Sequence, residues 1–337
     1  MNILTSNSPE TVLINWCVTS RCNFRCRYCP PDAHNGKADL LAKAYWPPGQ
    51  IWPPQEKPTA FIKMLMVSSP VFVELVGGET TIWPGLTAFL EQFRNNKNIA
   101  FELLSNGSRS LRWWRDFTTA TTGVPIFASL SFHAEQVDME HFIQVFEILS
   151  NTHTVNVNVL LDPEYADICN AVYSRVAEKI NNNMPGRVGY TLLRYDIGGD
   201  VYDGYTDEML ENIMKPGVFY WLDEAPAGGG MPPIRPGNVV VPTKVYINGE
   251  VVKVPELILN KKNNFKGWKC EALNKRFMIG TDGNLFPCNE LHHDPMINLY
   301  ESSLEEIQSF LKNNKFVICP SETCSCKWDV VVPKTQI

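Results

Sequence analysis

Cysteines dominate the chemistry-bearing residues of this 337-residue chain, and they fall in two groups. Cys17, Cys22, Cys26 and Cys29 lie near the start; Cys270, Cys288, Cys319, Cys324 and Cys326 lie near the end; only Cys169 falls between. In Cys22-Asn-Phe-Arg-Cys26-Arg-Tyr-Cys29, three thiols share one short loop. Three thiolates can bind three irons of a cubane cluster and leave the fourth open, whereas a fully ligated cluster ordinarily takes four cysteines. The competing chemistry is a zinc site short of one ligand, which Cys17 could complete.

Composition sets the surroundings of that chemistry. The chain is 44% hydrophobic and 20% charged with a net charge of −6, ordinary values for a globular protein. An acidic balance argues against a nucleic-acid partner, which wants a basic face. The opening segment MNILTSNSPETVLI has no basic stretch and no long apolar run, so no secretory signal is expected. No run of 18 apolar residues predicts a membrane span. The thiols are therefore expected in a reducing, cytoplasmic compartment, where clustered cysteines serve metals or catalysis rather than disulfides.

Alternating strands and helices must position these thiols. Strands are expected over 11–18, 71–76, 99–104, 126–132, 155–161 and 188–195, and helices over 59–67, 84–95, 109–118, 138–150 and 164–181. The Pro- and Trp-rich stretch 30–58 reads as an extended loop. Such alternation predicts parallel strands joined by right-handed crossovers. The expected fold is α/β, a partial (β/α)6 TIM-like barrel with ligands at the C-terminal ends of its strands. The pattern changes after about residue 200. A helix is expected over 206–214, a linker over 224–238, a hairpin over 239–254 turning at Asn248-Gly249, a second hairpin over 276–286, and a helix over 303–312. The expected division is a core barrel over 1–200, a linker and hairpin insertion over 201–260, and a small α+β iron–sulfur domain over 261–337.

The cysteine loop, with three and then two intervening residues and Tyr28 before its last thiol, resembles the cluster loop of the radical S-adenosylmethionine superfamily. Gly77-Gly78-Glu79-Thr80 resembles the motif that holds the methionine amino group: glycines let backbone approach a ligand, and Glu79 can pair with an ammonium. Ser105-Asn106-Gly107 resembles the segment ending the third strand of that fold. Ser129 or Ser131 resembles the polar position that contacts ribose or carboxylate, and Asn156 or Asn158 could serve the adenosine end. An ordinary turn or strand-end polarity is the alternative for these. The resemblance implies a 4Fe–4S cluster whose open iron binds S-adenosylmethionine, one-electron cleavage to a 5′-deoxyadenosyl radical, and hydrogen abstraction from a substrate. It also implies an electron donor such as flavodoxin or ferredoxin.

In the second group, twelve residues separate Cys270 from Gly283 and four separate Gly283 from Cys288. This resembles the entry of the SPASM and twitch extensions, which carry auxiliary clusters in part of the superfamily, and 298–307 resembles the segment that follows. Five cysteines, against the seven of a full SPASM domain, favour one auxiliary cluster held by Cys270, Cys288 and two of Cys319, Cys324 and Cys326. A zinc ribbon is the competing chemistry. Cys169 reads as buried filler. His133 could contact substrate or serve as a hydrogen-bonded structural group, and the Trp-rich loop at 46–52 could line a channel or cover the barrel mouth. His292 and His293 are expected not to be ligands. The resemblance implies an oxidoreductase or isomerase that oxidises, crosslinks or epimerises a peptide or small natural product, with no catalytic side chain named. Modification of a nucleotide or nucleic acid is an alternative, and a non-catalytic zinc-stabilised binding protein is another.

Overall fold

Short β-branched runs alternate with helices whose first turns are capped by the chain's own polar residues, and this alternation builds the barrel. The computed structural model describes residues 3–6, 10–29, 52–193, 201–215, 217–220, 239, 245–252, 257, 262–324 and 326–337. The expected linker over 224–238 and all but residue 52 of the Trp-rich loop at 46–52 lie outside the described residues. In chain order the elements begin with β1 (Ile3–Ser6), β2 (Val12–Thr19), α1 (Glu56–Met66), β3 (Val71–Gly77), α2 (Leu86–Glu91), β4 (Ile99–Ser105) and α3 (Leu111–Ala120). They continue with β5 (Ile126–Phe132), α4 (Met139–Ser150), β6 (Thr154–Leu161), α5 (Ala166–Asn181), β7 (Gly186–Leu192), α6 (Asp207–Met214) and β8 (Val218–Tyr220). The remainder comprises β9 (Val245–Ile247), β10 (Glu250–Val252), β11 (Lys269–Cys270), α7 (Ala272–Lys275), β12 (Arg276–Ile279), β13 (Asn284–Phe286) and β14 (Ile297–Asn298). It ends with α8 (Leu304–Asn313), β15 (Val317–Ile318), α9 (Lys327–Val330) and β16 (Lys334–Thr335).

Caps set the helix starts. Ser110 accepts from the Trp113 N–H, Asp138 from His141 and Thr206 from Met209, each satisfying an amide that the first turn leaves without a partner. Helix α1 starts at Glu56, three residues before the expected position, because Pro58 is tolerated in a first turn. Helix α2 stops at Glu91, short of the expected 95. There Asn95 takes a left-handed conformation (φ 58°) and its N–H donates to Gly123 O.

The main sheet runs β14-β13-β12-β2-β3-β4-β5-β6-β7-β8. The six expected strands, β2 to β7, are parallel neighbours, and the partial barrel is as expected. Strand β12 adds a seventh parallel member by pairing with β2, Phe277 opposite Ile14. That pairing was not foreseen, because residues 276–286 present locally as a hairpin and a hairpin pattern says nothing of a distant partner. A second sheet runs β10-β9-β1-β16-β11-β15. Its outer hairpin turns at Asn248 (φ 52°) and Gly249 (φ 89°), the left-handed pair that a two-residue turn requires.

Alternation along each strand divides the core into two layers. Ile14, Val73, Phe101, Ala128 and Val157 face the helices in the larger cluster. Leu13, Phe72, Ala100 and Phe127 point to the concave side, where Trp328, Val330 and Val331 pack on them. One step further along the same concave rows stand Asn15 and Glu74. The Glu74 carboxylate accepts from Asn15 Nδ2 and from Trp328 Nε1, the latter at 3.1 Å. The barrel floor is thus sealed by residues from the far end of the sequence. Among the described residues no helix is long and apolar enough to cross a membrane.

Candidate metal and cofactor site

At the C-terminal ends of the parallel strands a cleft of about 620 Å³ opens, a size typical of small-molecule and cofactor sites. Cys22, Cys26 and Cys29 all line it, with Gly77, Gly78, Glu79, Ser105, Asn106, Ser131 and His133. Of the other residues expected around a cofactor, Thr80, Ser129 and Asn156 do not line it. Thr80 Oγ1 donates to Leu104 O. Ser129 Oγ donates to Glu102 Oε1 at 2.6 Å, and Asn156 Nδ2 to Asn158 Oδ1 at 3.0 Å. Cys17 lines the same cleft from β2.

The glycines act on the cysteine loop. The Gly78 N–H donates to Thr19 O at 2.9 Å and the Glu79 N–H to Arg21 O at 2.8 Å. A Cβ on Gly77 would lie 2.1 Å from Thr19 O, and one on Gly78 2.2 Å from Arg21 O. Bare backbone is needed there so that the end of β3 can abut the start of the loop. Glu79 is 1% exposed. Its carboxylate accepts from Ser105 Oγ at 2.8 Å, the Asn106 N–H at 2.6 Å, the Thr81 N–H at 3.0 Å and the Thr81 hydroxyl. Burial raises its pKa, and those donors work the other way. The carboxylate expected beside an ammonium thus ties the ends of β3 and β4 together, which the motif alone did not reveal.

The loop is gripped from further strand ends. Asn106 Nδ2 donates to Asn23 Oδ1 at 3.1 Å, and Asn23 Nδ2 to Ser108 Oγ at 2.7 Å. His133 Nδ1 stands 2.7 Å from the Tyr28 hydroxyl and 3.4 Å from Cys26 Sγ, with its ring stacked on Tyr28. Burial lowers the His133 pKa to about 4, so the imidazole is neutral at pH 7. Arg27, which sequence reasoning missed, is the busiest anchor. Its guanidinium pairs with Asp162 at 2.6 Å and Glu164 at 3.3 Å, and its Nε donates to the Tyr202 hydroxyl at 2.8 Å. Its backbone N–H donates to Glu135 Oε1 at 2.8 Å. The available signal was a charged residue between ligands of a short loop, with Asp162 at a strand end ahead of a proline.

Burial also pushes the Cys26 thiol up to about 12 and raises Cys22 and Cys29. These thiols hold their protons at neutral pH until a metal displaces them. The arrangement fits an iron–sulfur cluster: three thiols of one loop line a single cleft, with a close-packed glycine turn on its wall. Among the described residues no three His, Cys, Asp or Glu side chains converge closely enough to hold a single metal ion.

The second group is assembled differently. Cys270, Cys288, Cys319 and Cys324 line one recess beneath the second sheet, while Cys326 does not line it. Cys326 and Cys319 both pack against the apolar cluster that includes Cys324, Trp328 and Val330, and the Cys326 carbonyl accepts from the Asp329 and Val330 N–H groups. Cys169 is buried in α5, its Sγ 3.3 Å from Leu160 O. The His292 and His293 rings pack on each other.

Comparison with known proteins follows this geometry. Residues 16–154 match the family model described as Radical SAM superfamily. This stretch is a radical SAM domain. No curated protein matches the sequence. Among solved structures, SuiB of Streptococcus suis bound to S-adenosylmethionine is similar in fold, with a TM-score of 0.50 and 13% identity over 89% of this chain and 66% of SuiB. BtrN in complex with AdoMet and 2-DOIA gives 0.39 and 15% over 90% of this chain and 87% of BtrN. SuiB of the same organism bound to the precursor peptide SuiA gives 0.37 and 10%, over 90% and 65%. The chain spans slightly less than two thirds of the length of SuiB.

Proposed function

We propose that this chain is a radical SAM enzyme using a 4Fe–4S cluster and S-adenosylmethionine, that it acts on a peptide or small natural product by oxidation, crosslinking or epimerisation, and that it carries a second, auxiliary iron–sulfur cluster. The observation that carries the reading is the shared cleft: Cys22, Cys26 and Cys29 face the same space as the Gly77-Gly78 backbone and Ser131. When bound, the cluster and S-adenosylmethionine supply reductive carbon–sulfur cleavage and a carbon-centred hydrogen abstractor. The chain's own part is placement. Arg27, Asn106 and His133 fix the loop that bears the ligands. Gly77 and Gly78 bring the β3 end against that loop, and Glu79 fastens β3 to β4. Leu104, Leu160 and Leu192 give the cleft an apolar wall. The second group, resembling a SPASM or twitch site, supports the peptide or natural-product substrate class, because auxiliary clusters mark those branches. In this reading residues 1–200 are the core that binds S-adenosylmethionine, 201–260 are a linker and β-hairpin insertion, and 261–337 hold the auxiliary cluster. Flavodoxin or ferredoxin supplies electrons in the cytoplasm.

The test is anaerobic reconstitution with iron and sulfide, reduction with dithionite, and assay of 5′-deoxyadenosine released from S-adenosylmethionine. Deuterium transferred into that product from labelled peptides, and none from labelled nucleotides, is the expected result. Cluster-loaded protein that releases no 5′-deoxyadenosine would overturn the enzyme reading; label arriving from nucleotides would overturn the substrate class.

A further inference from the structure

The second cysteine group surrounds a buried cation. Lys334, on β16, lies directly opposite Cys270 of β11 in the antiparallel register. It is 2% exposed and lines the same recess as Cys270, Cys288, Cys319 and Cys324. Its three ammonium protons are directed at backbone carbonyls: Asp329 O at 2.6 Å, Val332 O at 2.9 Å and Val330 O at 3.3 Å. The nearby Asp329 carboxylate is engaged elsewhere, by Arg276 Nε at 2.9 Å and the Asn289 N–H at 2.9 Å. These carbonyls and the face of the Phe265 ring, 5.0 Å away, hold the ammonium in place, and among the described residues no carboxylate pairs with it.

Burying a cation in this way is costly unless an anion shares the site. A cluster ligated by four thiolates is such an anion. We propose that Cys270, Cys288, Cys319 and Cys324 ligate the auxiliary cluster, that Cys326 does not, and that the Lys334 ammonium raises its reduction potential. This rests on the auxiliary-cluster reading above. Reduction adds one electron to the cluster and makes it more negative, so a fixed positive charge beside it stabilises the reduced form; net charge and hydrogen bonding are established levers on such potentials. Cys326 sits at the start of α9 and does not line the recess.

The experiment uses the full chain with Cys22, Cys26 and Cys29 all replaced by Ala, so that only the second site reports. After anaerobic reconstitution, iron and sulfide are counted and the midpoint is read by a redox titration followed by electron paramagnetic resonance. Adding Cys326→Ala is expected to leave iron content and spectrum unchanged, and adding Cys319→Ala to remove or alter the signal. Lys334→Gln is expected to lower the midpoint, and Lys334→Arg, which keeps the charge, to hold it near the parent value. Loss of the cluster in Cys326→Ala overturns the ligand assignment. Equal midpoints in the Gln variant and the parent, or equal shifts in the Gln and Arg variants, overturn the role of the charge. Zinc in place of iron in the Cys22/Cys26/Cys29 triple variant itself overturns the auxiliary-cluster reading and the inference with it, a result distinct from either of those failures.

Discussion

The two cysteine groups reach their geometry by opposite routes. The first places three thiols within eight residues and lets the ends of β3, β4, β5 and β6 hold that loop in shape. The second draws four thiols from segments up to 54 residues apart and lets a small sheet bring them round one recess. The first looks onto a cleft of about 620 Å³, with space for a molecule beside the metal. The second is packed around Lys334 and Asp329. A site that must bind and release a partner keeps its ligands on one adjustable loop, and a site that only holds its group can be built into the core.

The sharpest test of this contrast removes one ligand from each side. Cys26→Ala is expected to abolish release of 5′-deoxyadenosine while the iron of the second site remains. Cys288→Ala is expected to leave the spectrum of the first cluster intact. Should either substitution strip both sites, the two are not independent. Next in size is Gly78→Ala. A Cβ only 2.2 Å from Arg21 O and 2.9 Å from the Cys22 nitrogen cannot be accommodated without moving the loop. A loss of about 3 kcal/mol in stability, read by denaturant unfolding, is expected together with loss of cleavage.

Acid should act on the barrel side. His153 is buried, 2.9 Å from the Thr121 hydroxyl, and burial lowers its pKa from 6.5 to about 4. Between those values the unfolded chain binds the proton more readily, so stability falls as pH drops from about 6.5 toward 4. The loss is expected to reach roughly 3 kcal/mol for this group. Replacing His153 with Gln should flatten that part of a stability-versus-pH curve. Smallest is Arg27→Met, which leaves Asp162, 2% exposed, without its guanidinium. A cost of about 2 kcal/mol is expected for this partly exposed pair, with slower cluster assembly at the first site and unchanged assembly at the second. Equal slowing at both would show that Arg27 supports the whole fold rather than the loop.

Much of the first site was legible in the sequence because its signals are local. The spacing of Cys22, Cys26 and Cys29, the Gly77-Gly78-Glu79 run and the strand periods each occupy a short window. The barrel strands emerged within about three residues of their expected bounds, since β-branched runs bordered by turn residues mark strands whatever lies elsewhere. Contacts across long separations were not legible. Nothing in residues 276–279 announces a parallel partner at 13–16. Nothing near Glu79 says that its carboxylate meets Ser105 and Asn106. The recess around Lys334 depends on a register between β11 and β16 that no period encodes. Arg27 was passed over because its value comes entirely from the four residues that converge on it.

The floor of the barrel has a consequence for how the chain is made. Leu13, Phe72, Ala100 and Phe127 are covered by Trp328, Val330 and Val331, which leave the ribosome some 200 residues after Phe127. Synthesis proceeds at about 5–20 residues per second, so that greasy surface waits on the order of ten seconds or more for its cover. During that interval the nascent barrel exposes an apolar face of the kind that drives aggregation, and a chain cut short before residue 324 keeps it exposed.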